Sequence, residues 1–170
     1  MELEQIYLAD DFSVKYDKPF EDTDKNATWY RGSFTIAAPG KTVTLEKLEQ
    51  QGFVGFAGEM TLSKKFTSED TDLMLDFVKC GVNVVKASVN GRHVRDFMWE
   101  PFTADLSDYV VKGENTLTLT LVGNLRNMQG PFHIASGEQY GVGPYTFIWN
   151  GRPGYWDDDY CFVNVSVKNR

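Results

Sequence analysis

Alternation of apolar and polar positions across residues 84–122 predicts antiparallel strands rather than helices. Within this stretch, Asn90-Gly91 lies between two short runs of alternating hydrophobicity. This dipeptide favours a two-residue hairpin of type I′, because both central residues of that turn need a positive φ. Such a turn is expected to place Ala87 opposite Val94, both apolar, on one face. The stretch therefore begins with a β-hairpin.

The second half of the same stretch predicts a crossing loop, a cap turn and a half-buried strand. Pro101-Phe102 begins an extended piece that ends at Asp105. Asp105 and Ser107 are residue types that cap a short helical turn, and Gly113 suits the left-handed residue that ends one. Thr and Leu then alternate with period two over residues 116–121. This alternation places three leucines on one buried face and three threonines on the other.

Shorter runs predict further strands along the chain. They cover residues 3–8, 12–16, 29–36, 42–48, 72–78, 145–149 and 160–167, with one more strand near Met60. Residues 17–27 are polar and contain Pro19, so they predict a loop, and Gly81 is expected to end a strand before the hairpin. The sequence shows no helical periodicity, internal repeat or linker. Residues 1–170 are therefore expected to form one antiparallel β-sandwich of jelly-roll topology, with less than about a tenth helix against a usual ~30%.

Three glycines at positions 52, 55 and 58 lie in the Gly- and Phe-rich run QGFVGFAG. A phosphate-binding loop would end in Gly-Lys-Ser/Thr and lead into a helix, and neither feature is present. The glycines are instead expected to allow close backbone approach or a bulge.

Composition and charge narrow the classes of partner. The chain has 170 residues, 42% of them apolar and 14% aromatic, with a formal charge of −7 and a pI of about 4.8. This acidic balance argues against nucleic acid and anionic membranes as partners. No apolar run is long enough for a transmembrane helix, and the acidic start Met1-Glu2-Leu3-Glu4 predicts no signal peptide. The compartment stays open: extracellular or periplasmic if a parent protein carries an export signal, otherwise cytoplasmic.

The two cysteines, Cys80 and Cys161, both lie in apolar surroundings. They are expected to be buried free thiols, because a disulfide between them cannot be inferred from their spacing. Two Cys and two His far apart in the chain do not form a recognisable zinc motif. Carboxylates do cluster at Asp17, Glu21, Asp22 and Asp24. Two interpretations fit this cluster: a solvated acidic loop, or a calcium site that uses Asp22 and Asp24.

Several motifs in the chain resemble a known family of domains. They occur in the runs ASVNGRHV and PFTADLSDYVVKGENTLTLTLVG, as Asn90-Gly91, Pro101-Phe102, Asp105-Leu106 and Gly113-Glu114-Asn115. This pattern resembles the sugar-binding domain of glycoside hydrolase family 2 and related galactose-binding-like jelly rolls, as does Trp-Tyr-Arg at residues 29–31. The later runs NLRNMQGPFH and WDDDY are similar to accessory domains of large bacterial glycosidases. The resemblance implies a β-sandwich module attached to a sugar-cleaving enzyme. It does not imply catalysis, because the family's acid and nucleophile lie in a separate barrel domain.

The residues themselves give little support to catalysis. A glycosidase needs two carboxylates that flank one bond, and Glu59, Glu100 and Glu138 are interpreted as surface groups. His93 reads as an exposed strand residue. His133 lies in a more unusual loop, but the sequence has no Gly-x-Ser-x-Gly nucleophile elbow to serve it. The chain is therefore not expected to be an enzyme by itself.

Two long polar loops are the predicted functional edge of the domain. The edge consists of residues 124–133, which begin a loop that runs to residue 143, and of residues 150–159. Long loops in compact domains are usually functional or disordered. The candidate site residues are aromatic and hydrogen-bonding side chains in or beside these two loops, together with two at residues 99–100. They are Trp99, Glu100, Arg126, Asn127, His133, Trp149, Arg152, Tyr155 and Trp156. One interpretation is a surface that docks on the catalytic domain of a parent protein. The other is a site for an oligo- or polysaccharide, which aromatic platforms and planar polar groups hold well. No cofactor is expected, and the acidic cluster leaves calcium as the one exception.

Overall fold

A computed structural model of the protein describes residues 11–23, 26–128 and 160–169. Their strands are β1 (Ser13–Tyr16), β2 (Phe20–Asp22), β3 (Ala27–Tyr30), β4 (Phe34–Ala37), β5 (Glu59–Ser68), β6 (Met74–Cys80), β7 (Val84–Val89), β8 (Arg92–Phe97), β9 (Thr103–Asp105), β10 (Gly113–Val122), β11 (Tyr160–Val163) and β12 (Val167–Asn169). Helical structure in this part of the chain is limited to a 3-10 helix at Leu48–Gln51. No helix here is long and apolar enough to cross a membrane.

The strands form antiparallel sheets that close around an apolar core. The sheets have the orders β5-β10-β7-β8, β12-β6-β9, β11-β3-β2 and β1-β4. The core lies between the first two of these sheets and is formed by Leu48, Phe77, Val82, Val85, Ala87, Phe97, Ala104, Leu119, Leu121, Val165 and Val167. The predicted all-β, antiparallel sandwich is therefore confirmed.

The predicted hairpin is present, and its turn has the expected backbone. Asn90 has a φ of 51° and Gly91 a φ of 77°. The predicted pairing of Ala87 with Val94 is wrong, because Ala87 lies opposite Arg95 and the register shifts beside it. Val94 is therefore an extra residue in β8, a bulge that lets its side chain pack against the core.

The alternation of β10 is confirmed on both faces. Leu119 and Leu121 are buried. Thr118 and Thr120 lie on the other face, where each hydroxyl is hydrogen-bonded to a hydroxyl of β5, at 3.1 and 3.0 Å. The cap turn before this strand is also present, since the Asp105 carboxylate accepts hydrogen bonds from the backbone amide and from the hydroxyl of Ser107. Gly113 has the predicted positive φ, 102°.

The predicted single strand over residues 29–36 is wrong, because the structure divides it between β3 and β4 in different sheets. Between them, the Asp17 carboxylate accepts hydrogen bonds from the Tyr30 hydroxyl at 2.8 Å and from the Ser33 amide at 2.7 Å. These bonds turn the chain away from β3, a long-range effect that the local pattern does not contain. Residues 17–27, predicted as a loop, contain β2 and the start of β3.

Two further strand predictions are corrected by how the chain pairs. Residues 42–48 form no strand, since Lys47 has a left-handed φ of 51° and the Thr44 amide donates to the Gln51 side chain. Residues 160–167 divide into β11, which pairs with β3, and the start of β12, which pairs with β6. Around the division, the Asn164 amide donates to Asn26 and the Ser166 carbonyl accepts from the Gly81 amide. The chain therefore changes sheets at this point.

Cys80 and Cys161 are not joined by a disulfide, as expected. Cys161 is fully buried, whereas Cys80 is partly buried, and burial raises the pKa of its thiol to about 11. The predicted strands at residues 3–8 and 145–149 lie outside the described residues.

Candidate functional site

The loop between β8 and β9 presents the most exposed of the large hydrophobic residues that the structure describes. Trp99 retains 71% of its accessible surface, and Met98 retains 49%. Glu100, also exposed, precedes Pro101 through a cis peptide bond. Here the chain crosses from the sheet of β8 to the sheet of β9. A loop with so exposed an aromatic ring is suited to contact another molecule.

Buried contacts hold both ends of this loop. At one end, the Phe97 ring is buried and meets the Phe77 ring edge-on, with centroids 5.2 Å apart. At the other end, the Phe102 carbonyl accepts a hydrogen bond of 2.9 Å from the Phe77 amide. The guanidinium of Arg95 donates to the Thr103 carbonyl at 2.7 Å. The exposed tip is therefore carried by a fixed base rather than by a free loop.

Exposed apolar residues continue on β6, beside the end of this loop. Met74 and Val78 retain 61% and 49% of their surface. The register pairs Met74 with Asp105 of β9, and the Phe77–Phe102 hydrogen bond brings the loop alongside the other end of β6. We refer to Met74, Val78, Met98 and Trp99 together as the crossover surface.

Asn127 has a structural position rather than an exposed one. It is buried, its side-chain amide donates to the Val163 carbonyl, and its side-chain oxygen accepts from the Val163 amide, both at 2.8 Å. Both polar ends of the side chain therefore hold the chain against β11. Arg126 beside it is partly buried, and its backbone amide donates to the Asn124 side chain at 3.0 Å.

The remaining predicted site residues lie outside the described residues: His133, Trp149, Arg152, Tyr155 and Trp156. The structure therefore brings Trp99 and Glu100 together on one loop and Arg126 and Asn127 on another. For the other five positions, the functional edge stays a prediction.

The acidic cluster is held by neighbouring groups of the chain. The Asp22 carboxylate pairs with the Lys47 ammonium at 2.5 Å and accepts from Gln50 at 3.4 Å. The hydrogen bond from Lys47 lowers the pKa of Asp22. Across the described residues, no group of three or more His, Cys, Asp or Glu side chains is arranged to hold a metal ion. Asp24 lies outside these residues, so the calcium site stays a prediction.

Glu49 is a buried carboxyl group that the sequence did not mark. It has no exposed surface, its Oε2 accepts from the Val165 amide at 2.8 Å, and its buried Oε1 has no hydrogen-bond partner. Burial raises the pKa of this carboxyl group. Next to it, the Tyr16 hydroxyl donates to the Glu49 carbonyl at 2.5 Å and accepts from the Gly52 amide at 3.1 Å. The group lies in the polar run LEQQ, where nothing distinguishes Glu49 from an exposed residue.

A cleft of about 560 Å³ lies between β1, the start of β5 and the Gly-rich loop before β5. Its aromatic and charged lining residues are Asp11, Phe12, Lys41, Phe53, Phe56 and Glu59. Of the three spaced glycines, Gly52 makes the predicted close approach: it has a φ of 98°, and an added Cβ would lie 3.0 Å from Ser13. Gly55 and Gly58 face open space instead.

Three of the residues considered for catalysis, Glu59, Glu100 and His93, belong to the described part of the chain, whereas His133 and Glu138 lie outside it. Glu59 pairs with Lys86 at 2.7 Å at the edge of the cleft, and Glu100 lies on the exposed loop. His93 is an exposed strand residue, as predicted, with its Nε2 3.7 Å from the Asp96 carboxylate.

No protein-family model matches the chain, and no curated protein matches it. Among solved structures, it is similar to a rhamnosidase from Novosphingobium sp. PP1Y, with 20% identity and a TM-score of 0.46 over 98% of this chain and 16% of that one. It is also similar to a beta-D-glucuronidase from Dictyoglomus thermophilum, with 16% identity and a TM-score of 0.37 over 68% of this chain and 20% of that one. The chain thus spans a fifth or less of either glycosidase.

Proposed function

We propose that the chain is a non-catalytic accessory domain of a glycoside hydrolase and packs on the catalytic domain of its parent protein. The observation that carries this proposal is the 71% exposure of Trp99 on a loop whose base is fixed in the core. Tryptophan is enriched among the residues that dominate the binding energy of protein interfaces. A fixed base also reduces the conformational entropy that docking would cost.

The chemistry around Trp99 favours a protein partner over a sugar. Met98, Met74 and Val78 are exposed apolar side chains that carry no strong hydrogen-bonding group. A sugar site needs planar polar groups around its aromatic platform, whereas a docking surface needs apolar area. The crossover surface supplies the apolar area that a docking surface needs.

The motifs that carry the family resemblance have structural tasks in this fold, which supports an accessory module. Asn90-Gly91 forms the hairpin turn, and Asp105 caps the turn that follows β9. Asn115 is buried and bonds the backbone of Val111 through both ends of its side chain. None of these tasks is catalytic. We therefore assign to this chain the jelly-roll, galactose-binding-like module that the resemblance implies, and the chemistry to another domain.

The proposal is tested on the complete gene product and its parts. The coding sequence that contains residues 1–170 is expected to encode a glycoside-hydrolase catalytic domain as well. When that domain is expressed separately, Trp99→Ala is expected to weaken its association with this chain by about thirtyfold, the ~2 kcal/mol typical of an interface hot spot. Val111→Ala is the control, because Val111 is also exposed but lies in the turn before β10. An unchanged dissociation constant for Trp99→Ala contradicts docking through this surface.

A sugar site at the same loop is the second candidate, and Glu100 is the observation that favours it. A carboxylate directly beside an exposed indole is able to bind hydroxyls of a ring stacked on Trp99. In this case the isolated chain binds oligosaccharides on a glycan array, and both Trp99→Ala and Glu100→Gln abolish the signal. Docking predicts instead that Glu100→Gln leaves the association with the catalytic domain nearly unchanged.

A further inference from the structure

Strand β5 forms one edge of the four-stranded sheet, and β8 forms the other. β5 is ten residues long, Glu59–Ser68, and among the described residues it pairs only with β10. Its other side presents a row of backbone N–H and C=O groups. Such an edge is a template for another strand unless the protein blocks it.

The register identifies which backbone groups point outward. The Gly123 amide donates to the Gly58 carbonyl at 2.8 Å, just beyond the pairing of Glu59 with Val122. Antiparallel pairs alternate between hydrogen-bonded and non-hydrogen-bonded. Residues 60, 62 and 64 therefore bond to β10, and the backbone groups of Glu59, Thr61 and Ser63 point to the free side.

The first half of this edge borders the cleft. Residues 59–62 line it together with aromatic residues of the neighbouring segments, among them Phe12, Phe53 and Phe56. A strand added beside β5 would direct alternate side chains to opposite faces of the sheet. One set would enter the cleft beside its aromatic residues, and the other would lie beside the hydroxyl face formed by Thr61 and Ser63.

The second half of the edge is protected by charge. Lys64 is exposed, although its position on β5 follows Leu62 on the core-facing side and pairs with Leu117. An inward-pointing lysine on an edge strand is one of the ways in which proteins prevent edge-to-edge aggregation. Lys65 follows it and pairs with Glu114 at 3.0 Å. The half of the edge that contains Lys64 and Lys65 is thus protected against non-specific strand pairing, whereas the half that borders the cleft is accessible.

We propose that residues 59–63 of β5 accept an extended segment of a partner protein as an added strand. The segment carries alternating apolar residues, which enter the cleft, and one acidic residue, which lies next to Lys64. A second copy paired through the middle of β5 fits these requirements less well, because a register centred on Lys64 places this lysine of one copy opposite the same lysine of the other. The edge is at the opposite side of the sheet from β8, whose end leads into the crossover surface, so this inference does not depend on the proposed function.

The experiment uses immobilised synthetic peptides of eight residues with alternating Val and Thr, one Val near one end being replaced by Asp or by Lys. The chain is expected to bind the Asp peptide and to bind the Lys peptide at least about tenfold more weakly, a difference of ~1.4 kcal/mol. In hydrogen exchange, the Asp peptide is expected to protect the amides of Thr61 and Ser63, whereas that of Leu62 is protected already. Equal binding of both peptides, no binding at millimolar concentration, or unchanged exchange at these two amides overturns the proposal.

A pair of substitutions at one position then separates the backbone from the side chain. Thr61→Pro removes an outward N–H, which an edge strand tolerates without losing a bond to its neighbour. It is expected to weaken binding of the Asp peptide about tenfold or more, as loss of a backbone hydrogen bond of ~1.4 kcal/mol does. Thr61→Val keeps the N–H and is expected to bind as the unchanged chain does. Full binding by a folded Thr61→Pro variant contradicts strand addition, and the exchange data decide the question if that variant does not fold.

Discussion

The side chains of Asn90 and Asn115 are hydrogen-bonded to each other, with the Asn90 amide nitrogen 2.8 Å from the Asn115 oxygen. Asn90 belongs to the hairpin turn, and Asn115 is buried near the start of β10. The Asn90 oxygen in turn accepts from the Thr116 amide at 3.0 Å. Two motifs that are 25 residues apart in the chain therefore form one polar cluster, which fixes the hairpin against the central strand.

Asn115→Ala is expected to lower the free energy of unfolding by roughly 2–4 kcal/mol, because it removes several hydrogen bonds that one buried side chain makes to the backbone. Among these are the bonds to the Val111 amide and carbonyl, at 2.9 and 2.7 Å. Denaturant titration measures the loss. Asn83→Ala is the control, since its side chain is exposed and makes a bond of 3.4 Å, and it is expected to cost little. If the two variants lose equal amounts of unfolding free energy, the polar cluster does not stabilise the fold.

Leu119→Ala is expected to cost ~2–5 kcal/mol, as for other buried leucines, because it leaves a cavity in the core between the two main sheets. Leu119 retains 5% of its surface and contacts residues of the core cluster. Thr118→Ala, one position away on the outward face, loses a hydroxyl contact of 3.1 Å and is expected to cost far less. Thermal or chemical unfolding of the two variants measures the difference. Similar losses would show that the two faces of β10 do not differ as described.

Glu49→Gln is expected to change how stability depends on pH. Burial raises the pKa of the folded Glu49 carboxyl above its ordinary value of 4.5. Below that value both states hold the proton and no penalty arises. As the pH rises above it, the unfolded chain releases the proton and the folded chain keeps it, so stability falls until the folded pKa is reached. Glutamine cannot ionise.

The stability advantage of Glu49→Gln over the unchanged chain is therefore expected to grow between pH 4 and pH 7. Urea midpoints at both pH values measure it, with Glu46→Gln as an exposed control that is expected to show little change. If the stability difference between Glu49→Gln and the unchanged chain becomes smaller as the pH rises, the fold stabilises Glu49 as a carboxylate.

The isolated chain is expected not to hydrolyse aryl glycosides. Glu100 lies on an exposed loop and Glu59 is held by Lys86, so within the described part of the chain neither faces a second carboxylate across an enclosed site. Release of the aryl group, followed by absorbance, is the measurement. Turnover that disappears in Glu100→Gln would assign catalysis to this chain.

The sequence predicted those parts of the fold that depend on neighbouring residues. The hairpin turn needs positive φ at two adjacent positions, and Asn90-Gly91 supplies both. The alternation of β10 likewise requires only a period of two. The bulge at Val94 was missed, because it depends on packing against other strands and not on the turn.

The division between β3 and β4 and the burial of Glu49 share a different cause. The Asp17 carboxylate fixes the division between β3 and β4 through hydrogen bonds to residues that are 13 and 16 positions away in the chain. The buried Glu49 carboxyl group is held in part by a hydrogen bond from the Val165 amide, which is 116 residues away in the chain. Contacts at such separations leave no period or local motif in the sequence. Trp99 was predicted as a site residue from its position beside a loop, whereas its exposure, and the burial of Asn127, appear only in the folded chain.

Trp99 and Phe97 provide the sharpest test of the crossover surface, because they are two aromatic residues on one segment with opposite environments. Phe97 is 1% exposed and packs on Phe77, so Phe97→Ala is expected to cost ~3–5 kcal/mol. Trp99 is 71% exposed, so Trp99→Ala is expected to change the free energy of unfolding by less than about 0.5 kcal/mol. Thermal melts measure both. If Trp99→Ala melts as the unchanged chain does and associates more weakly with the catalytic domain, the indole acts at an interface. If it loses several kcal/mol instead, the ring stabilises this domain, and the crossover surface loses its central residue.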